Sequence, residues 1–369
     1  MHTNVPFADL HLQYLSLKPA IDEAIAEVIR TSAFIRGPFV ERFEKEFAAA
    51  MQGAHCVSCG NGTDSLYLAM RALGVKPGDE VIAPAHSWIS TTETITQAGG
   101  TVVFCDTDAD TFTMDPAHVE SLITPRTVGI IPVHLYGQPA DMGRIGEIAR
   151  KHHLWIIEDC AQAHLARYHG QQVGTFGNVG SFSFYPGKNL GAMGDAGALI
   201  TADGRLAEQM AMIARHGGLK KGDHQIEGIN SRIDGLQAAI LSVKLPHLPD
   251  WTRRRQEIAA EYDRRLAEIP GVAVPRVAEG REHVYHLYVI RHERRDALAR
   301  HLAGRGIQTV INYPIALPFL PAYARFEHDS GDFPNAFANQ SRILSLPIFP
   351  EMTAGQIDSV VTAIAAFTP

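Results

Sequence analysis

From His55 to Thr201 the sequence alternates short β-branched runs with stretches of helical period, and this alternation constrains the fold more than any other feature. Strands are read at His55–Ser58, Glu80–Ala83, Thr101–Cys105, Val128–Val133, Leu154–Ile157, Ser181–Phe184 and Ala198–Thr201. Helices fall between them at Ser65–Leu73, Ile89–Ala98 and Asp141–His152. Such a pattern predicts an α/β fold with a mainly parallel central sheet covered by helices on both faces. Upstream, Ile21–Ile29 and Phe39–Met51 have helical spacing and are separated by Gly37-Pro38. The pattern changes near Lys244–Trp251, where Pro246 and Pro249 interrupt it. A mixed-charge helix follows over Trp251–Glu268, then a strand Val284–Ile290, a helix Arg294–Gly304, a strand Gln308–Ile311 and a last helix from Thr353. Two units are expected: residues 1–245, whose first 20 or so residues carry no sheet pattern, and a smaller α/β unit, residues 246–369.

Composition narrows the function classes. Of 369 residues, 46% are hydrophobic, enough for a large core. Lys plus Arg is 33 against 40 Asp plus Glu, a net charge of -7, so no electrostatic footprint for nucleic acid or an anionic membrane is present. No apolar run is long enough to span a bilayer, and Met1–Leu10 has no signal-peptide pattern. The 4 cysteines (Cys56, Cys59, Cys105, Cys160) are too few for a disulfide scaffold, so a reducing cytoplasm is expected. The lone Cys56-x-x-Cys59 lacks a second Cys/His pair, and no metal is expected.

Four segments carry chemistry, each at a strand end or a loop, positions that line the ligand crevice in open α/β sheets. Gly60–Leu66 (GNGTDSL) precedes a helix and can cradle a phosphate on exposed N–H groups; the plainer alternative is a turn capped by Thr63 or Asp64. Leu154–His164 ends an apolar strand in Asp159, a carboxylate that needs a cationic partner or serves as a cap. Ser181–Ile200 places Lys188 among glycines and aromatics, where desolvation can free its amine to attack a carbonyl; a solvated lysine is the alternative. Pro84–Glu93 holds Trp88, which either stacks on a planar ligand or packs in the core. Neither glycine-rich stretch fits a P-loop. One ligand unites the four: pyridoxal 5′-phosphate, with a phosphate, a flat ring, a ring nitrogen and an aldehyde.

These segments resemble the DegT-like sugar-nucleotide aminotransferases of the aspartate aminotransferase fold (fold type I). The resemblance runs from PFADL and FIRGPFVERFEKEFA through CGNGTDSL, GDEVIAPAHSW, IEDCAQAH and GSFSFYPGKNLGAMGDAGALIT to INSRIDGLQAAIL and Tyr313. It implies Lys188 as the Schiff-base and proton-transferring lysine and Asp159 as partner of the pyridine nitrogen. Gln162 would lie near the ring hydroxyl, Gly62, Thr63 and Ser183 at the phosphate, and Trp88 on the ring face. Asn230 would reach the phosphate of a neighbouring subunit, and Arg232 and Tyr313 the substrate. A homodimer with shared active sites follows from that pattern. Departures are Ala196 in place of a glycine, Leu165 after His164, and Leu317, where many members carry a histidine that faces the sugar.

The implied reaction is amino transfer from L-glutamate to a keto sugar on a nucleoside diphosphate, with 3-keto favoured over 4-keto. A sugar dehydratase is disfavoured by Lys188, since that pattern has His there. A cofactor-binding regulatory protein without turnover and a cyclitol aminotransferase are the other readings. Three features are read as structural: His152-His153 at a helix end, Cys160 in the core, and Arg253–Arg255 as a solvated helix face.

Overall fold

The computed structural model describes residues 4–367. Its central sheet has the 7 strands β1 (His55–Cys59), β2 (Glu80–Pro84), β3 (Thr101–Cys105), β4 (Thr127–Ile130), β5 (Trp155–Asp159), β8 (Val179–Ser183) and β9 (Gly197–Thr201). The short β6 (Arg167–Tyr168) and β7 (Gln171–Gln172) lie between β5 and β8 in sequence and join β10 (Arg281–Glu282) in a small separate sheet. The central order is β1-β9-β8-β5-β4-β2-β3, and only β9 runs antiparallel to its neighbours. All residues of β2, β8 and β9 are buried, as expected of strands covered on both faces.

Twelve helices supply the cover among the described residues: α1 (Leu10–Thr31), α2 (Pro38–Ala50), α3 (Gly62–Ala72), α4 (Ser90–Gln97), α5 (Pro116–Ser121), α6 (Met142–His152), α7 (Gly204–Ile213), α8 (Gly235–Lys244), α9 (Leu248–Leu266), α10 (Arg295–Ala303), α11 (Pro334–Gln340) and α12 (Ala354–Ala365). One face of the sheet sends Val81, Ile157 and Leu199 against Leu68 of α3 and Met210 of α7. The opposite face sends Phe182 and Ile200 toward α2 and α8, and Ile82 and Ile156 toward α6. Alternation along β5 puts Ile156 and Ile157 on opposite sides. A further core forms where the antiparallel pair β11 (Tyr288–Arg291) and β12 (Ile343–Leu346) packs with α9, α10 and α12. Val5 belongs to that core, whereas Ala316, Leu317, Tyr323 and Phe333 pack into the first one with Phe104. No helix among the described residues is long and apolar enough to cross a membrane.

Several elements differ from the sequence reading. α1 begins at Leu10, with the Asp9 carboxylate accepting from Leu12 N at 2.9 Å, and continues through Pro19. Packing against α8 sustains it despite the proline. The helices α7 and α8 have no counterpart among the helices expected from the sequence. The strand at Val284–Ile290 starts only at Tyr288, because Val284 and Leu287 give their N–H groups to the carbonyls of Gly137 and Tyr136 in a short 3-10 turn. Gln308–Ile311 forms no strand; Val310 makes a single bridge to Ser345.

Beneath the C-terminal edge of β5 lies a closed polar network. Glu158, fully buried, accepts N–H groups of Gly174, Phe176 and Gly177 at 2.7–2.8 Å. His134 Nδ1 accepts from Ala140 N, so its Nε2 carries the proton and donates to Glu158 at 3.1 Å. His134, Glu158 and Cys160 cluster closely enough to hold a cation, but the lone pairs of His134 and Glu158 are already engaged by these donors. Replacing Glu158 with Ala strands all four donors and should cost about 3–5 kcal/mol. Urea unfolding would show this as a lowered midpoint, and an unchanged midpoint would contradict it.

Candidate active site

The C-terminal ends of β1, β2, β5 and β8 open on one cavity of about 640 Å³. Asn61, Gly62, Thr63, Trp88, Asp159, Gln162, Ser183, Lys188 and Tyr313 all line it. Eight of the ten residues singled out in the sequence are therefore brought together, with Asn61 added. Asn230, exposed, and Arg232, half-buried, lie outside the walls of this chain's own cavity.

The phosphate-like corner is the first turn of α3. Asn61, not Thr63 or Asp64, is the N-cap: its side-chain oxygen accepts from Asp64 N at 2.8 Å. The first-turn N–H groups of Gly62 and Thr63 are left without an intrahelical acceptor, at the positive end of the helix dipole. Gly62 packs directly on β8, where a Cβ would lie 2.6 Å from Ser183 Cβ. That approach brings the Ser183 hydroxyl to the same corner. Thr63 Oγ1 pairs with Ser90 Oγ at 2.7 Å, tying α3 to α4. Ser231 also braces the turn, accepting from Gly60 N at 2.9 Å and donating to Asp64 at 2.6 Å.

Asp159 and Lys188 supply the opposite charges. Asp159 is buried, and burial raises its pKa against the Ala161 N–H at 3.1 Å, the Thr91 hydroxyl at 2.9 Å and the charge of Lys188. Burial lowers the Lys188 pKa to about 8, and Asp159 pulls it the other way. Gln162 is buried, accepting from Tyr136 N at 2.6 Å and donating to Tyr313 Oη at 3.0 Å. Trp88 is 58% exposed, its ring centroid 5.4 Å from that of Tyr313. It is thus available to a ligand rather than spent in the core.

Two readings of the sequence are corrected, one of a departure from the family pattern and one of a helix face. Leu317 is fully buried among Tyr323 and Phe333 and is not part of the cavity wall, so it does not take the sugar-facing place that the histidine of other members is expected to have. Arg255 is not on a solvated face: it is 7% exposed and lines the cavity. The sequence reading missed Thr91, His286 and Asn312 as well, all of them in the walls. Thr91 lay inside the Pro84–Glu93 segment but was overshadowed by Trp88.

The model of the DegT/DnrJ/EryC1/StrS aminotransferase family matches residues 16–365. The chain belongs to this family. Among its relatives is a Streptomyces venezuelae dTDP-3-amino-3,4,6-trideoxy-alpha-D-glucose transaminase, 45% identical over 98% of this chain and 95% of its own. A pleiotropic regulatory protein of Geobacillus stearothermophilus is 47% identical over 99% of this chain and 98% of its own. The crystal structure of S. venezuelae DesV in complex with a ketimine intermediate superposes with a TM-score of 0.96 at 45% identity, covering 98% of each chain. The fold is that of these family aminotransferases, as the sequence pattern implied.

In this family member Asp159 favours the charged form of Lys188. Substituting Asp159 with Asn should therefore move the Lys188 pKa below about 8. The pH dependence of Lys188 labelling by an amine reagent, followed by mass spectrometry, would shift down; no shift would disprove the coupling.

Proposed function

We propose that the protein is a pyridoxal 5′-phosphate-dependent aminotransferase that moves an amino group from L-glutamate to a 3-keto sugar carried on a nucleoside diphosphate. The observation that carries this reading is the meeting of Lys188, Asp159 and the α3 N-terminus in one cavity. The similarity to a transaminase acting at a sugar 3-amino position supports the choice of acceptor.

The residues fit the cofactor on structural grounds. Gly62 lets the N-terminus of α3 close onto β8, so the free first-turn N–H groups, Thr63 and the Ser183 hydroxyl share one part of the cavity wall, as a phosphate needs. Asp159 is a buried carboxylate with neutral donors on it and no cation within ion-pair distance among the described residues, as a protonated ring nitrogen needs. Trp88 offers a flat face, and Gln162 with Tyr313 forms a hydrogen-bonded edge. When bound, the cofactor supplies an electron sink for the donor's α-carbon. Lys188 then takes the proton from that carbon and returns one on the cofactor side, acting first as base and then as acid. Its lowered pKa leaves much of the amine neutral near pH 8.

The protein is further proposed to be a cytoplasmic homodimer in which Asn230 and Arg232 complete the partner's site. Residues 1–245 would act as the cofactor-holding unit and 246–369 as the smaller one. Exposed Phe34 and Ile35 adjoin Asp234 and Gly235, next to this segment, and form the kind of apolar patch that a second copy covers.

A screen of L-glutamate against 3-keto and 4-keto nucleotide sugars tests the function. The wild type should show ping-pong kinetics, with a donor half-reaction that rises with pH and levels off above about 8. Lys188→Ala should abolish transfer, and wild-type turnover in that variant would sink the reading. A regulatory protein, suggested by the name of one relative, would bind the cofactor but leave glutamate unconsumed. Mixing Lys188→Ala chains with Asn230→Ala chains should restore activity if sites are shared, because one site of each mixed dimer is intact.

A further inference from the structure

Three consecutive arginines lie in the second turn of α9, and the helix turns them to different surroundings. Arg253 and Arg254 pair with Asp250 and Glu257, each at 3.0 Å, on the outside. Arg255 falls on the buried stripe with Leu248, Thr252, Ile258, Ala259 and Tyr262. Its side chain reaches the cavity wall beside His286, Leu287 and Ile348. There Nη1 donates to the carbonyls of Ile348 at 2.8 Å, Tyr285 at 3.2 Å and His286 at 3.4 Å.

Those three bonds hold the guanidinium in place without neutralising it. Its Nε has no partner, and it makes no ion pair within 4.0 Å among the described residues. Burial depresses its pKa to about 10, with Glu351 opposing from farther away. The acids that line the cavity are Asp159, engaged by Thr91 and Ala161, and Asp195, exposed at the rim. A buried cation without a counter-ion is expensive to maintain, and an arriving anion would relieve that cost.

The inference rests on the aminotransferase reading, which identifies the anion. The phosphate corner at α3 is built from Gly62, Thr63 and Ser183, on other elements. The carbon at which Lys188 works carries a carboxylate, and His286 stands within electrostatic reach of both Lys188 and Arg255. We propose that Arg255 receives the α-carboxylate of the amino donor and so orients its α-hydrogen toward Lys188. The planar fork of arginine suits a carboxylate, and Nη1 is already anchored to the backbone, so the group is preorganised.

The test separates the two half-reactions of the holoenzyme by cofactor absorbance. With Arg255→Gln, kcat/KM for L-glutamate should fall roughly 10- to 100-fold, the loss expected for a hydrogen bond to a charged group. Arg255→Lys should fall less, and the amination of the keto sugar should suffer less than the donor step in both. In the wild type, the α-amide of glutamate should react more slowly than glutamate by a similar factor, and Arg255→Gln should no longer distinguish the two donors. A merely structural role would not remove that discrimination. Equal use of both donors by the wild type would overturn the proposal, even if the variants fail to fold. A loss concentrated in the sugar half-reaction would also overturn it, assigning the anion to the diphosphate. A wild type that reacts with no amino donor at all would instead remove the function beneath it.

Discussion

Two adjacent acids at the end of β5 face opposite ways, and the site depends on that split. Neighbouring residues on a strand point to opposite sides of the sheet. Glu158 therefore turns into the protein, where three backbone N–H groups and His134 satisfy it. Asp159 turns into the cavity. The main chain of Asp159 is fixed at both ends, its N–H donating to Pro132 O at 2.9 Å and its carbonyl accepting from His134 N at 3.1 Å. Cys160 N continues the frame onto Ser181 O at 2.8 Å. A carboxylate that must stay desolvated needs such a frame, because a mobile one would retreat toward water.

A second constraint is distance rather than charge. Helix α3 can bring its N-terminus to Ser183 only because position 62 has no side chain. Below it, Ser65 and Ser181 share a hydrogen bond, so the contact between helix and sheet is made by small polar residues. Bulk there would lift the helix dipole away from the corner proposed to hold a phosphate.

The legible part of the protein was the part in which chemistry and strand ends coincide. Gly62, Thr63, Asp159 and Lys188 could be found because they stand at or soon after the ends of short apolar runs, and strand ends in such sheets converge; Ser183, inside its strand, was legible only through the resemblance. The N-cap was misread because Asn61, Thr63 and Asp64 are all good caps, and only geometry decides which oxygen meets a free N–H. Arg255 was misread because a run of like charges looks solvated when helical phase is ignored. Counting along Leu248, Thr252, Ile258 and Tyr262 would have placed it on the inner stripe. Leu317 was assigned by resemblance to a histidine position, but a leucine there is drawn into the apolar cluster around Phe104. Resemblance carries a position more safely than it carries the direction of a changed side chain.

The acidic balance of the chain does not conflict with anionic ligands, because positive potential is delivered locally. It comes from three separate elements: the dipole of α3, the loop that carries Lys188 after β8, and the first half of α9, which carries Arg255. Each source faces the same cavity, and the carboxylate of Asp159 stands among them. The elements belong to different packing clusters, with α3 in the core around Met210 and the inner face of α9 in the core around Tyr262. A ligand that joins a phosphate to a carboxylate would therefore bridge those two cores. If Arg255 receives the carboxylate as proposed, the orientation of the smaller core against the sheet enters substrate recognition, since it sets how far Arg255 stands from Lys188.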